Sequence, residues 1–350
     1  MRAVNTFQHF YQMEMDSDAH YMGNDTKMTS ALRVWCVYTS LGYEKSRIFK
    51  INLLTVAVMN SIFAVSAIIL NALVLTAFLR NRNILKGSNI ILFGLCIADF
   101  VSGVIVQVPI SVVLFMVFAR GNEGMDCILL TFASISGYIF VGISLLTVSF
   151  VSLERFISIF YPYVYERVFT KSTMVFGSIL IWSAMIVLNL YCFFAQERMA
   201  FYVVQSAVIS LTYVWTIIVY FKILKQVRKI TKAEAELTRR FQKKEAEREL
   251  KANRIVRFVI LSLLTCYSLQ VVVAMFQSLG GNIRVIDNYV YFWSFTFGIV
   301  NCSLNPLIYC YCNSEIRKKV YELIRFAKRG IETSSETFRP THNQEPVGNN

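Results

Sequence analysis

Polar groups stand at four places where a polar group is costly. Asp99 closes the apolar stretch Leu95-Cys96-Ile97-Ala98-Asp99, and Asn71 interrupts another. Glu154-Arg155 ends a third, and Asn305-Pro306-Leu307-Ile308-Tyr309 lies inside a fourth, 289–312, that has no charged residue. An ionisable side chain at membrane depth is expensive and marks a candidate functional site. The plainer reading of Asp99 is a buried carboxyl bonded to Asn71 and Asn305. Pro306 removes a helix hydrogen bond, and in lipid the freed carbonyl needs another partner. Asn305 and Tyr309, four residues apart, share one face of that helix. This polar, bent face reads either as a moving part or as a kink satisfied by its neighbours. Nothing here resembles covalent catalysis: the histidines, His9, His20 and His342, all lie near the termini. We therefore expect no enzyme.

Apolar runs of about 20 residues must position these groups. There are seven: 53–79, 90–118, 127–151, 174–195, 201–224, 258–279 and 289–312. The chain has 350 residues, of which 55% are hydrophobic and 16% charged, too apolar for a soluble domain. The fold class is an all-α membrane protein, a seven-helix bundle. The second run is overlong and should bend at Pro109. An odd count without internal repeats weakens a carrier or channel, which stays a remote alternative. Of the 35 Lys and Arg, 26 fall on one side of the implied topology, 13 of them in 222–257. That side is cytoplasmic and the N-terminus extracellular. Asn24-Asp25-Thr26 is a glycosylation sequon in the outer tail. The first 30 residues have no apolar core, so no cleaved signal peptide is expected. A net charge of +13 concentrated beside membrane spans fits anionic lipid headgroups and an acidic partner surface, and no nucleic acid.

The domain reading follows. Residues 1–50 form an outer tail, 51–312 the membrane domain, 313–329 an amphipathic helix on the inner leaflet, and 330–350 a disordered cytoplasmic tail. Ile316, Val320, Leu323, Ile324 and Ala327 recur at helical spacing in the third of these. In 222–257 the Glu236–Arg240 and Glu247–Lys251 spacings favour helical extensions of the fifth and sixth spans.

The third span ends Ser152-Leu153-Glu154-Arg155-Phe156, with Pro162 seven residues beyond the arginine. With Asn71, Leu-Ala-Asp99, Trp182, Tyr220 and Asn305-Pro306-x-x-Tyr309, each motif on its own span, the chain resembles the rhodopsin-like (class A) G-protein-coupled receptors. The run Tyr161–Thr170, the compact outer loops and the altered sixth span are similar to divergent chemosensory or odorant-receptor-like members. The resemblance implies a plasma-membrane receptor that takes an extracellular small molecule and activates heterotrimeric G proteins, with arrestin recruited by phosphorylation at Thr333–Thr337. Arg155 is then the switch arginine, held by Glu154 and released on activation, with Glu249 as an acidic partner. Tyr220 and Tyr309 swing around it. Asp99, Ser144, Asn301 and Asn305 would form the family's sodium pocket, a carboxylate with neutral oxygens that suits a hard cation.

The chain also departs from the family. The sixth span has Cys266-Tyr267-Ser268-Leu269 in place of Cys-Trp-x-Pro, and the fifth lacks its proline. The usual outer disulfide has no partner in the second outer loop; Cys127 stands with Cys36 or Cys192, or with neither. No lysine for a retinal Schiff base lies in the seventh span, and Gly137 takes the place of the amine-binding aspartate. The expected ligand pocket gathers Gln107, Tyr138, Val141, Tyr267, Gln270, Tyr291 and Phe295, uncharged and aromatic. A receptor fold without ligand-driven signalling, constitutive or a silent partner of another receptor, is the second reading.

Overall fold

The computed structural model of the chain describes residues 46–121, 127–195, 198–235, 264–273 and 287–337, with Phe258, Leu261, Ser262 and Met275. The described elements are all helical. They are α1 (Arg47–Arg80), α2 (Asn89–Arg120), α3 (Cys127–Phe160), α4 (Pro162–Val168) and α5 (Lys171–Phe194), then α6 (Arg198–Ala235), α7 (Leu264–Val273), α8 (Asp287–Cys312) and α9 (Ser314–Thr337). Five helices, α1, α2, α3, α5 and α6, contain stretches long and apolar enough to cross a membrane. On the sixth and seventh apolar runs fall α7 and α8. The 26 residues of α8 reach about 39 Å.

Side-chain size decides how closely these helices approach. In the central stretches of α2 and α3, 50% of residues are buried, against 17% in α5. So α3 runs through the middle, touching α2, α4, α5 and α6. By contrast α5 turns Phe176, Ile179, Val187, Tyr191 and Phe194 outward, where lipid would meet them. Glycine lets α5 and α3 meet: a Cβ at Gly177 would lie 2.8 Å from the Phe150 ring, and one at Gly142 would strike the end of Met185. Without a hydrophobic drive between helices in lipid, such close van der Waals packing carries the association.

The bend expected in the second span takes the form of a π turn, Gly103–Gln107. Val108 N–H reaches the Gly103 carbonyl, one residue beyond the α-helical partner, just before Pro109. Proline has no N–H to continue the ladder, and the widened turn absorbs that break. At the other end of the chain, the Asn313 carboxamide accepts from Glu315 N (3.0 Å) and Ile316 N (3.3 Å), which caps α9. Arg317 Nη1 donates back to the Tyr311 carbonyl at 3.0 Å. Ile316 is fully buried while Arg317, Lys318, Tyr321, Ile324 and Phe326 are exposed. Beyond the apolar periodicity, α9 continues through Gly330 to Thr337, into the segment expected to be disordered. One glycine costs a helix only about 1 kcal/mol, too little to stop one already docked.

Candidate functional site

Near its C-terminal end α3 places Glu154 with its carboxylate fully buried and Arg155 folded over it. Arg155 Nε donates to Glu154 Oε2 at 2.5 Å and Nη2 to Oε1 at 2.6 Å. Nη2 also donates to Ser88 Oγ, which donates on to Glu154 Oε1 at 3.4 Å. From α4, the Tyr165 hydroxyl donates to the same Oε1 at 2.8 Å. Ser88 and Tyr165 escaped the sequence reading, yet each has a local cause. Gly87 adopts φ +55°, the left-handed turn that glycine enters freely, and so delivers Ser88. Pro162 opens α4 with a preset φ, and Tyr165 follows one turn later. Burial, then the Glu154 carboxylate, push the Tyr165 phenol up to about 12, with Arg155 opposing. The hydroxyl therefore stays a donor throughout the physiological range.

Other residues of the expected switch lie apart from this clasp. Tyr220 is half-buried and meets Phe221 edge-on at 5.9 Å. Tyr309 is fully buried in the core with its hydroxyl unpaired. Glu249 is outside the described residues, as are Asn24 and Cys36. Cys127 begins α3, but its side chain is not described. Cys192 is a free, buried thiol, which removes it as a bridge partner.

Deeper in the bundle Asp99 is fully buried. Its Oδ2 accepts from Asn305 Nδ2 at 2.8 Å and its Oδ1 from Ser144 Oγ at 3.3 Å, and the Cys302 thiol joins them. Asn71 is not a partner of Asp99, although the plainer of the two readings of that carboxyl made it one. It donates instead to the carbonyls of Ala67 (2.9 Å) and Cys302 (3.0 Å). Cys302 lies four residues before Pro306, so Asn71 pairs the carbonyl that the proline leaves free. Asn301 leans the other way, its Oδ1 accepting from Ser262 Oγ at 3.1 Å. Buried and unpaired around this core are Asn305 Oδ1, Asn301 Nδ2 and Asn71 Oδ1. A carboxylate, the Ser144 hydroxyl and the free Asn305 Oδ1 are donors of the type a hard cation takes. By donor chemistry, then, the set fits sodium.

Three further hydrogen bonds join α1 to α8. Trp293 Nε1 donates to Asn52 Oδ1 at 2.8 Å, Asn60 Nδ2 to Thr296 Oγ1 at 3.2 Å, and Ser303 Oγ to the Phe63 carbonyl at 2.9 Å. With Asn71, which the sequence had marked, they form a polar seam whose other visible signals were Asn52 and Asn60.

The expected pocket residues spread over four helices. Phe295 crosses against α3 at Gly137, where a Cβ would lie 3.0 Å from its ring. The ring therefore occupies the place of the amine-binding aspartate. Gln270, nearly buried, lies over Gly298, and Tyr267 beside it is fully buried. Gln107 is fully buried at the end of the π turn. Tyr138 packs near Cys192, Leu188 and Phe193, and Val141 joins the main core. The Tyr291 side chain is not described.

Comparison with known proteins adds one match. The family described as 7 transmembrane receptor (rhodopsin family) matches residues 70–309, well over half of the chain. No curated protein matches it. The match takes in Asn71, Asp99, Arg155 and Tyr309, and it ends on the helix that holds Pro306. The chain belongs to the rhodopsin family of seven-transmembrane receptors.

Proposed function

We propose that this receptor, in the plasma membrane with its N-terminus outside, binds a neutral small molecule from the extracellular side and drives nucleotide exchange on a heterotrimeric G protein. The carrying observation is Arg155, held by Glu154 and Ser88 with Tyr165 bonded to the same carboxylate. A buried carboxylate is left uncompensated without its cation, so Glu154 holds Arg155 in place until another acceptor is offered. Opening it frees a guanidinium for an acidic or carbonyl-rich surface. Pro162, Tyr220, Glu249, Asn305, Pro306 and Tyr309 belong to the same coupling machinery by family position. Arrestin engages the phosphorylated tail. Arg155→Ala abolishes G-protein activation at unchanged surface expression; unaltered signalling refutes the reading.

Asp99, Ser144 and Asn305 are the proposed holders of an allosteric sodium ion; Asn301, the fourth residue of the family pattern, has its carboxamide oxygen turned to Ser262. A bound cation supplies a charge that offsets the carboxylate. Replacing sodium by choline at constant ionic strength should then lower the melting temperature of the wild type but not of Asp99→Asn. Equal responses refute the site.

A receptor without ligand-driven signalling is favoured by one observation. Tyr267, in place of the family's tryptophan, is wholly buried, and Ser268 Oγ donates back to the Thr265 carbonyl at 3.0 Å with no proline to bend the helix. Basal exchange that no compound alters marks this alternative.

A further inference from the structure

We propose that the outer half of the bundle reads a planar, neutral group with a donor and an acceptor side by side, such as a primary carboxamide, a lactam or a nucleobase edge, and that Gln107 is the reader. This rests on the outer pocket being the ligand site. Gln107 is 0% exposed, yet neither its Nε2 nor its Oε1 has a hydrogen-bond partner. Buried amides are nearly always paired, so one with both ends free calls for an occupant. Its backbone ends a π turn, a feature often found at functional positions.

Two other residues of the expected pocket bear on the chemistry. Gln270, 8% exposed, has a free Oε1 lying over Gly298, 2.8 Å from where a Cβ would stand. It takes a second donor. Phe295 and Val106, the residue before Gln107, both meet α3 at Gly137. Phe295 thus brings an aromatic ring to the same stretch of α2, one residue from Gln107, and a flat ring can stack on such a face. The amide edge itself is a donor beside an acceptor. Its complement is another such edge, paired reciprocally by two hydrogen bonds. A carboxylate offers acceptors alone and would oppose Oε1. An amine offers donors alone, and none of these three side chains is anionic to receive its charge.

The test uses the full-length chain purified into lipid nanodiscs, with benzamide, N,N-dimethylbenzamide and methyl benzoate as probes. Saturation-transfer NMR reads binding, and thermal melting reads stability. Benzamide should bind, and the two blocked analogues about tenfold or more weakly, since each lacks the donor. Gln107→Leu should lose the preference for benzamide. Without probe it should melt above the wild type, because an unpaired buried amide has been replaced by an apolar group of like size. Gln107→Met serves if the leucine variant fails to express, and Gln270→Leu should weaken benzamide while keeping its preference over methyl benzoate. Equal binding of all three probes, or none, overturns the proposal. So does a lower melting temperature for Gln107→Leu, which would mean that internal partners or water already satisfy the amide. No arm involves a G protein, so signalling can fail with this subsite intact, and the subsite can fail with signalling intact.

Discussion

Arg155 and Glu154 are sequence neighbours, yet what sets their state comes from two other elements. The Tyr165 hydroxyl, a neutral donor on a charged acceptor, contributes about 1.5–3 kcal/mol to keeping Glu154 paired. Tyr165→Phe should therefore raise basal nucleotide exchange about tenfold or more, read by guanine-nucleotide binding. No change would assign Tyr165 to packing alone. The phenol pushed up to about 12 fixes the pH behaviour. Folding favours the protonated form, so its stabilisation is fully present below the ordinary pKa of 10.0 and is lost as pH rises towards 12. The Tyr165→Phe effect should accordingly be flat from about pH 6 to about pH 9. Gly87→Ala belongs beside it. Its Cβ would have room, 3.8 Å from the Tyr165 hydroxyl, but φ +55° strains any other residue by about 1–2 kcal/mol. Ser88 should loosen and basal exchange rise, while Gly94→Ala, where a Cβ meets nothing, should be silent.

At the scale of the helix, two glycines predict opposite outcomes for the same substitution. Gly177→Ala sets a methyl 2.8 Å from a rigid phenyl ring, and such overpacking costs about 1–3 kcal/mol. Gly142→Ala collides only with the flexible tip of Met185, which can turn aside. Melting should fall clearly for the first variant and little for the second. Asn71→Leu should cost about as much as Gly177→Ala, since it leaves the Cys302 carbonyl unpaired in a medium with no water to replace the amide. A loss of about 1–3 kcal/mol is expected, and a neutral result would mean that the bend at Pro306 is satisfied otherwise. Pro306 itself announced the need for a partner from the sequence, but which residue answers depends on how α1 lies against α8. Periodicity does not encode that.

Across the whole molecule, what the sequence made legible was what lipid enforces. Apolar runs, basic segments beside them and lone polar residues such as Asp99 and Asn305 are each set by a solvent, and a solvent acts on every residue alike. The rest needed three dimensions. Asn71 looked like a neighbour of Asp99 because both are polar, yet the backbone had the prior claim. Asn301 and Asn305 lie one turn apart on α8, but Asn301 turns to Ser262 while Asn305 meets Asp99. Tyr165 sits on a short helix whose docking is unmarked by any apolar stripe. The seam between α1 and α8 bears on how the chain is made. Synthesis delivers α1 first and α8 seventh among the spans, so Asn52 and Asn60 enter the membrane long before Trp293 and Thr296 exist to receive them. A nascent chain halted before Asp287 would display those amides to the lipid or to a chaperone, a built-in signal that the protein is unfinished.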